Sequence, residues 1–144
     1  MKSKPKETTQ PKTPEQIMEQ LHADLKHWQR ELRLEDFDIE LRWMARGEEP
    51  EKLGKCYDYS LSQLFIIALE HPDRRAMMEN VRPFNGDFEV ILVHELLHSR
   101  DIRWRGFSEI QSLLNENETL NELYEISLDA VAEALVRARR GITR

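Results

Sequence analysis

The chemistry-bearing residues of this chain sit together at His94-Glu95-Leu96-Leu97-His98, an HExxH motif. Val90-Ile91-Leu92-Val93 lead into it, and neither glycine nor proline interrupts the run. The pattern predicts a helix that is apolar on every side between Val90 and Leu97, and therefore buried. Residues i and i+4 of a helix share a face, so both imidazoles can reach one metal ion. Glu95 lies about 100° round that helix, beside such an ion but not on it. Zinc brings the pKa of a water molecule towards about 7, and a neighbouring carboxylate can then take its proton. The alternative is two histidines and a glutamate that merely hydrogen-bond inside an apolar helix, where polar groups are costly without partners.

A catalytic zinc takes three protein ligands and keeps a fourth position for water. A third histidine in the metzincin spacing would need glycine at 101 and histidine at 104, and those positions hold Asp101 and Trp104. The remaining candidates are acidic. On the last expected helix, Leu128, Ala132 and Val136 fall within about 60° of Glu125. A carboxylate on an apolar, inward stripe is disfavoured unless it meets a cation, which makes Glu125 the leading candidate. Asp129 follows, as a ligand or as the partner of a ligand histidine. Asp101 shares the face of His94 and His98, but three ligands from one straight helix fit a tetrahedral ion poorly, and Arg105 is its expected partner. Glu122 is expected to be occupied in a capping box.

Other polar residues have plainer expectations. His71 precedes Pro72 at a strand end and reads as a surface histidine, and His22 and His27 on the first helix read as solvated. Cys56 lies within a strand, where it acts as a small hydrophobe rather than a nucleophile. Tyr57 and Tyr59 are placed to pack in that strand rather than to donate to an oxyanion.

The elements that must position these residues follow from periodicity and caps. Thr13-Pro14-Glu15-Gln16 opens a helix, and Ile17, Leu21, Leu25, Trp28 and Leu32 extend it to about Arg33. Residues 37–43 alternate as a half-buried strand, and residues 47–50 form a turn. Residues 55–61 alternate again, with Tyr57, Tyr59 and Leu61 on one face. Residues 64–69 are a continuous apolar run that suits a buried strand. A short helix is expected at 73–81 and a loop at 83–87. Asp87 caps the HExxH helix, which should reach about Trp104. Thr119-Leu120-Asn121-Glu122 is read as the capping box of a last helix ending near Arg140. The expected fold class is α+β: about three strands in a small sheet packed on helices, with the HExxH motif on a central helix.

At 144 residues, 40% hydrophobic and 33% charged, the chain suits one soluble domain. The expected division is a disordered tail at 1–13 and a single domain at 14–144. The tail lacks the apolar stretch of a secretory signal, and no run is long and apolar enough for a membrane span. The one cysteine excludes a disulfide framework and any ribbon of paired CxxC, and a cytoplasmic setting is expected. The first 14 residues carry +3 and the last eight +4, so the body carries −13 of the net −6. An acidic body argues against nucleic acid as a partner. Arg137, Arg139 and Arg140, followed by Gly141, read as helix-end residues complementing the macrodipole.

With these residues in place, the chain from Phe37 to Arg139 resembles a minimal zincin, most closely the ImmA/IrrE-type metallopeptidases and related small phage-associated HExxH metallopeptidases. Those families follow HExxH with E-x-x-A-N-x-F-A-x-x-L. Glu125 to Leu135 matches that pattern, with Leu128 for Ala, Asp129 for Asn and Val131 for Phe. Leu97 stands where those families often have glycine. A SprT-like chain would need a zinc ribbon that one cysteine cannot build. The resemblance implies that His94, His98 and Glu125 bind Zn2+ and that Glu95 is the catalytic base, as in gluzincins. It implies a repressor-like regulator as the protein or peptide substrate. The substrate strand is expected to add to an edge strand of the sheet. The competing expectation is a non-enzymatic, zinc-stabilised protein-binding module of phage or mobile-element origin. Glu95 separates the two, because a structural zinc site has no use for that carboxylate.

Overall fold

The computed structural model describes residues 12–74, 86–103 and 107–141. Nearly all of the expected tail, most of the helix expected at 73–81, most of the loop expected at 83–87, and Arg105 lie outside them. Among the described residues the fold is α+β, with a three-stranded mixed sheet and four α-helices.

Helix α1 spans Pro14–Glu31, and its start follows the expected chemistry. Thr13 N–H donates to Gln16 Oε1 at 3.0 Å, and Gln16 N–H donates to Thr13 Oγ1 at 3.2 Å, a reciprocal capping box. Leu21, Leu25 and Trp28 form its buried stripe. Strands β1 (Asp38–Trp43), β2 (Gly54–Tyr59) and β3 (Leu64–Leu69) pair in the order β1-β3-β2. The strand made only of apolar residues takes the middle, parallel to β1 and antiparallel to β2. That leaves β2 on an edge. Leu61 is a correction: the chain leaves β2 at Tyr59 for a 3-10 turn, Ser60–Ser62, and Leu61 is fully exposed. An antiparallel return to β3 needs a turn there, and Gln63 completes it in the left-handed region (φ 55).

Helix α2 spans Phe88–Arg103. Asp87 Oδ1 accepts from Glu89 N–H at 3.0 Å and Val90 N–H at 3.4 Å, as expected of a cap. Ile91, Leu92, Val93, Leu96 and Leu97 are buried, and α2 packs on α1, β2, β3 and the last helix, α4 (Glu118–Arg139). Its core partners include Trp28, Ile67, Leu69, Leu128 and Val136.

Two helices follow where one was expected. Helix α3, Phe107–Glu116, was not anticipated, and α4 spans Glu118–Arg139. Thr119 is not the N-cap. Asn117, the single residue between the two helices, caps α4 by accepting from Leu120 N–H at 3.1 Å. Thr119 falls inside the first turn, so the expected capping role of Glu122 disappears with it. At the far end Gly141 takes the left-handed conformation (φ 72) that stops the helix. The arginines there do more than face the macrodipole. Arg139 pairs with Asp24 of α1 and Glu89 of α2 at 2.7 and 2.6 Å, and Arg140 grips Asp87 with two nitrogens. These ion pairs tie the end of α4 to the start of α2. No helix among the described residues is long and apolar enough to cross a membrane.

Candidate metal centre

The centre forms where α2 and α4 pack. One helical turn separates His94 and His98, and their rings stand 4.9 Å apart at 65°. From α4, the Glu125 carboxylate meets both rings. His94 Nε2 lies 2.9 Å from Oε2, and His98 Nε2 lies 3.2 Å from Oε1. Donor atoms of the three residues lie within 4.8 Å of one another. Two imidazole nitrogens and a carboxylate converging on one point suit a divalent transition metal. Glu125 sits on the stripe of Leu128, Ala132 and Val136 as expected, yet 42% of its side chain is exposed. It stands where that stripe opens into a groove, so the argument from deep burial does not hold. The two imidazoles, rather than sealed surroundings, account for its place. Burial pushes its pKa up, but hydrogen bonds from His94 and His98 and their charge outweigh that and hold it well below the ordinary range.

The other nitrogen of His94 is also engaged. Nδ1 is buried and lies 2.7 Å from Asp129 Oδ1, at ion-pair distance but off hydrogen-bond alignment. Asp129 is thus on the outer side of the ring, with Glu125 on the inner side. Burial lowers the pKa of His94, while the Glu125 hydrogen bond and the charges of Glu95 and Asp129 raise it, and the balance is upward. Glu95 is buried with Oε1 3.9 Å from His94 Nε2. Burial raises its pKa against the pull of both histidines. It lies beside the donor cluster without joining it.

Three neighbours were not singled out from the sequence. Gly54, the first residue of β2, lies directly against α2. A Cβ there would stand 2.8 Å from Ile91 Cγ2 and 3.1 Å from Glu95 Oε1. An isolated glycine in a strand is the available sequence signal for such an approach. Tyr124 donates its hydroxyl to Asp101 Oδ2 at 2.7 Å and sets its ring edge-on to His98 at 5.5 Å. Asp101 therefore holds a tyrosine and an arginine, Arg100 at 3.5 Å, and does not enter the donor cluster. Ser99 donates to the Glu95 carbonyl at 3.2 Å, and its hydroxyl lies 3.2 Å from Cys56 Sγ. Burial pushes the Cys56 thiol up to about 12, so it supplies no thiolate.

The remaining candidates are elsewhere. Glu122 is exposed on α4 outside the cluster. His71 packs against Trp43, His22 is 2.9 Å from the Met18 carbonyl oxygen, and His27 packs edge-on to Trp28. Tyr57 gives its hydroxyl to Glu48, and Tyr59 is exposed. Along the cluster runs an open groove of about 1410 Å³, bordered by Gly54 and Cys56 of β2, Ile91 and His94 of α2, and Glu125 and Asp129 of α4. No protein-family model matches the chain, and neither a curated protein nor a solved structure gives a match.

Proposed function

We propose that the chain is a zinc-dependent metallopeptidase of the minimal zincin class, similar to the ImmA/IrrE type. The observation that carries this reading is the Glu125 carboxylate, one oxygen on His94 Nε2 and the other on His98 Nε2, with Glu95 buried beside them. His94, His98 and Glu125 are the residues that would hold the ion. Zinc, when bound, polarises a carbonyl oxygen and acidifies water.

The chain's own residues account for the rest. Burial raises the proton affinity of Glu95, which suits a group that must take a proton and later release it. In the proposed reaction Glu95 accepts a proton from water as the water oxygen bonds to the peptide carbonyl carbon. It then delivers that proton to the amide nitrogen as the C–N bond breaks and the amine leaves. The outer edge of β2 borders the groove and faces no other strand among the described residues. An extended peptide pairing there would carry its carbonyl past Glu95. A protein or peptide substrate follows, with a repressor-like regulator supported by the resemblance alone and a cytoplasmic setting by the single cysteine.

The test is a peptide library and denatured host proteins incubated with zinc-loaded wild type and with Glu95→Gln. Cleavage by wild type, with the variant still binding zinc but slower by about 10²–10⁴, is the expected result. If both forms bind zinc and neither cleaves any peptide, the zinc-stabilised binding module replaces the enzyme.

A further inference from the structure

Helix α4 is apolar on two opposite sides. Leu128, Ala132 and Val136 are buried against α2. On the far side, Leu123, Ala130 and Ala134 lie within about 20° of one line along the helix, with Leu120 and Ile126 within about 60° and Val131 at about 80°. All six are exposed, Leu123 to 57% and Ile126 to 62%. Leu113 of α3, also 60% exposed, precedes the stripe. A surface helix needs one apolar stripe, and a second of this length marks an interaction surface.

The charges at its ends choose the occupant. Glu122 is exposed towards the N-terminal end, and Arg137, which also meets Glu133 of its own helix at 3.3 Å, lies beyond Ala134 at the C-terminal end on the same flank. We propose that this face seats a second copy of the chain, α4 against α4, antiparallel about a two-fold axis. With the axis beside Ala130, that arrangement sets Glu122 near the partner's Arg137, whereas a parallel one sets Glu122 on Glu122 and Arg137 on Arg137. A two-fold axis also makes the patch its own complement, and Ala130 beside the axis lets the helices approach closely. Asp129, Glu133 and Arg137 border the groove along one flank of the same helix, so the second copy would stand at the rim of the groove without entering it.

The experiment needs neither metal nor substrate: sedimentation equilibrium of the full chain from about 5 to about 500 µM. A concentration-dependent dimer is expected. Leu123→Glu and Ile126→Glu should each raise its dissociation constant about 30-fold or more, while Leu61→Glu, on an exposed turn elsewhere, leaves it unchanged. Circular dichroism checks that helix content is kept. A charge exchange tests the orientation independently of the apolar variants. Glu122→Arg and Arg137→Glu should each dimerise more weakly alone and regain dimer when mixed. A chain that stays monomeric across the range overturns the proposal. So does a dimer indifferent to Leu123→Glu and Ile126→Glu, or a mixture of charge variants that remains monomeric.

Discussion

His94 Nδ1 lies 2.7 Å from Asp129 Oδ1, on the side of the ring away from Glu125. A carboxylate this close to the outer nitrogen acts on the ring by its charge, which raises the proton affinity of His94. Asp129 is 69% exposed, so water competes for it, and the tie is weaker than a buried one.

Zinc affinity should therefore fall in a graded series. Asp129→Ala is expected to weaken binding about 10–100-fold. Glu125→Ala, which removes one of three donors, should exceed that loss. Glu122→Ala should change neither zinc affinity nor stability, because Asn117 and not a Thr119 box caps α4. Competition with a chromophoric chelator orders the three. Equal losses for Glu122→Ala and Glu125→Ala would refute the donor assignment.

Gly54→Ala should destabilise the fold. The new methyl would come within 2.8 Å of Ile91 Cγ2, closer than real side chains keep, and would crowd Glu95 at 3.1 Å, so β2 or α2 must shift. Overpacking of this kind costs about 1–3 kcal/mol. Urea unfolding at constant m-value measures it. A variant as stable as wild type would mean that β2 and α2 do not approach so closely.

Glu48 confers a pH dependence away from the metal centre. Its carboxylate takes both Arg42 nitrogens, at 2.7 and 2.8 Å, and accepts from Ala45 N–H and the Tyr57 hydroxyl. The Arg42 hydrogen bonds, against burial, hold its pKa at about 2, below the ordinary 4.5. A depressed carboxylate stabilises the fold fully above its unfolded pKa and loses that contribution as pH falls through the folded one. Glu48→Gln should thus cost about 1 kcal/mol near neutral pH, a figure kept small by the exposure of Arg42. The difference from wild type should shrink between about pH 4.5 and 2. Paired denaturation curves across that window check the sign, and a gap that widens in acid would contradict it.

Asn117→Ala should cost about 0.5–2 kcal/mol, whereas Thr119→Ala should be neutral or stabilise by a few tenths. Thermal melts of the two variants distinguish them. The reverse order would return the cap to Thr119.

The pairing of His94 with His98 was legible in the chain because it depends only on one helix, whose i,i+4 geometry is local. The burial of β3 was legible for a similar reason, because an unbroken apolar run leaves no face for water; its place between β1 and β2 was not. Glu125 was reachable through the 3.6-residue period, although that period placed it on a stripe without showing that the stripe opens into a groove there. Local signals were ambiguous at Leu61, where alternation continued past the point at which the chain had to turn. They were ambiguous again at Asn117 and Thr119, two good caps two residues apart, between which the end of α3 decided. The crossing of α2 and α4 put Asp129 on the outer nitrogen of His94 and Tyr124 on Asp101. The packing of β2 on α2 left room for no more than a hydrogen at Gly54. These contacts join residues far apart in the chain, and their distances depend on how whole elements rotate and slide against one another. No local period records that rotation, because it is settled only when every side chain in the core is packed at once.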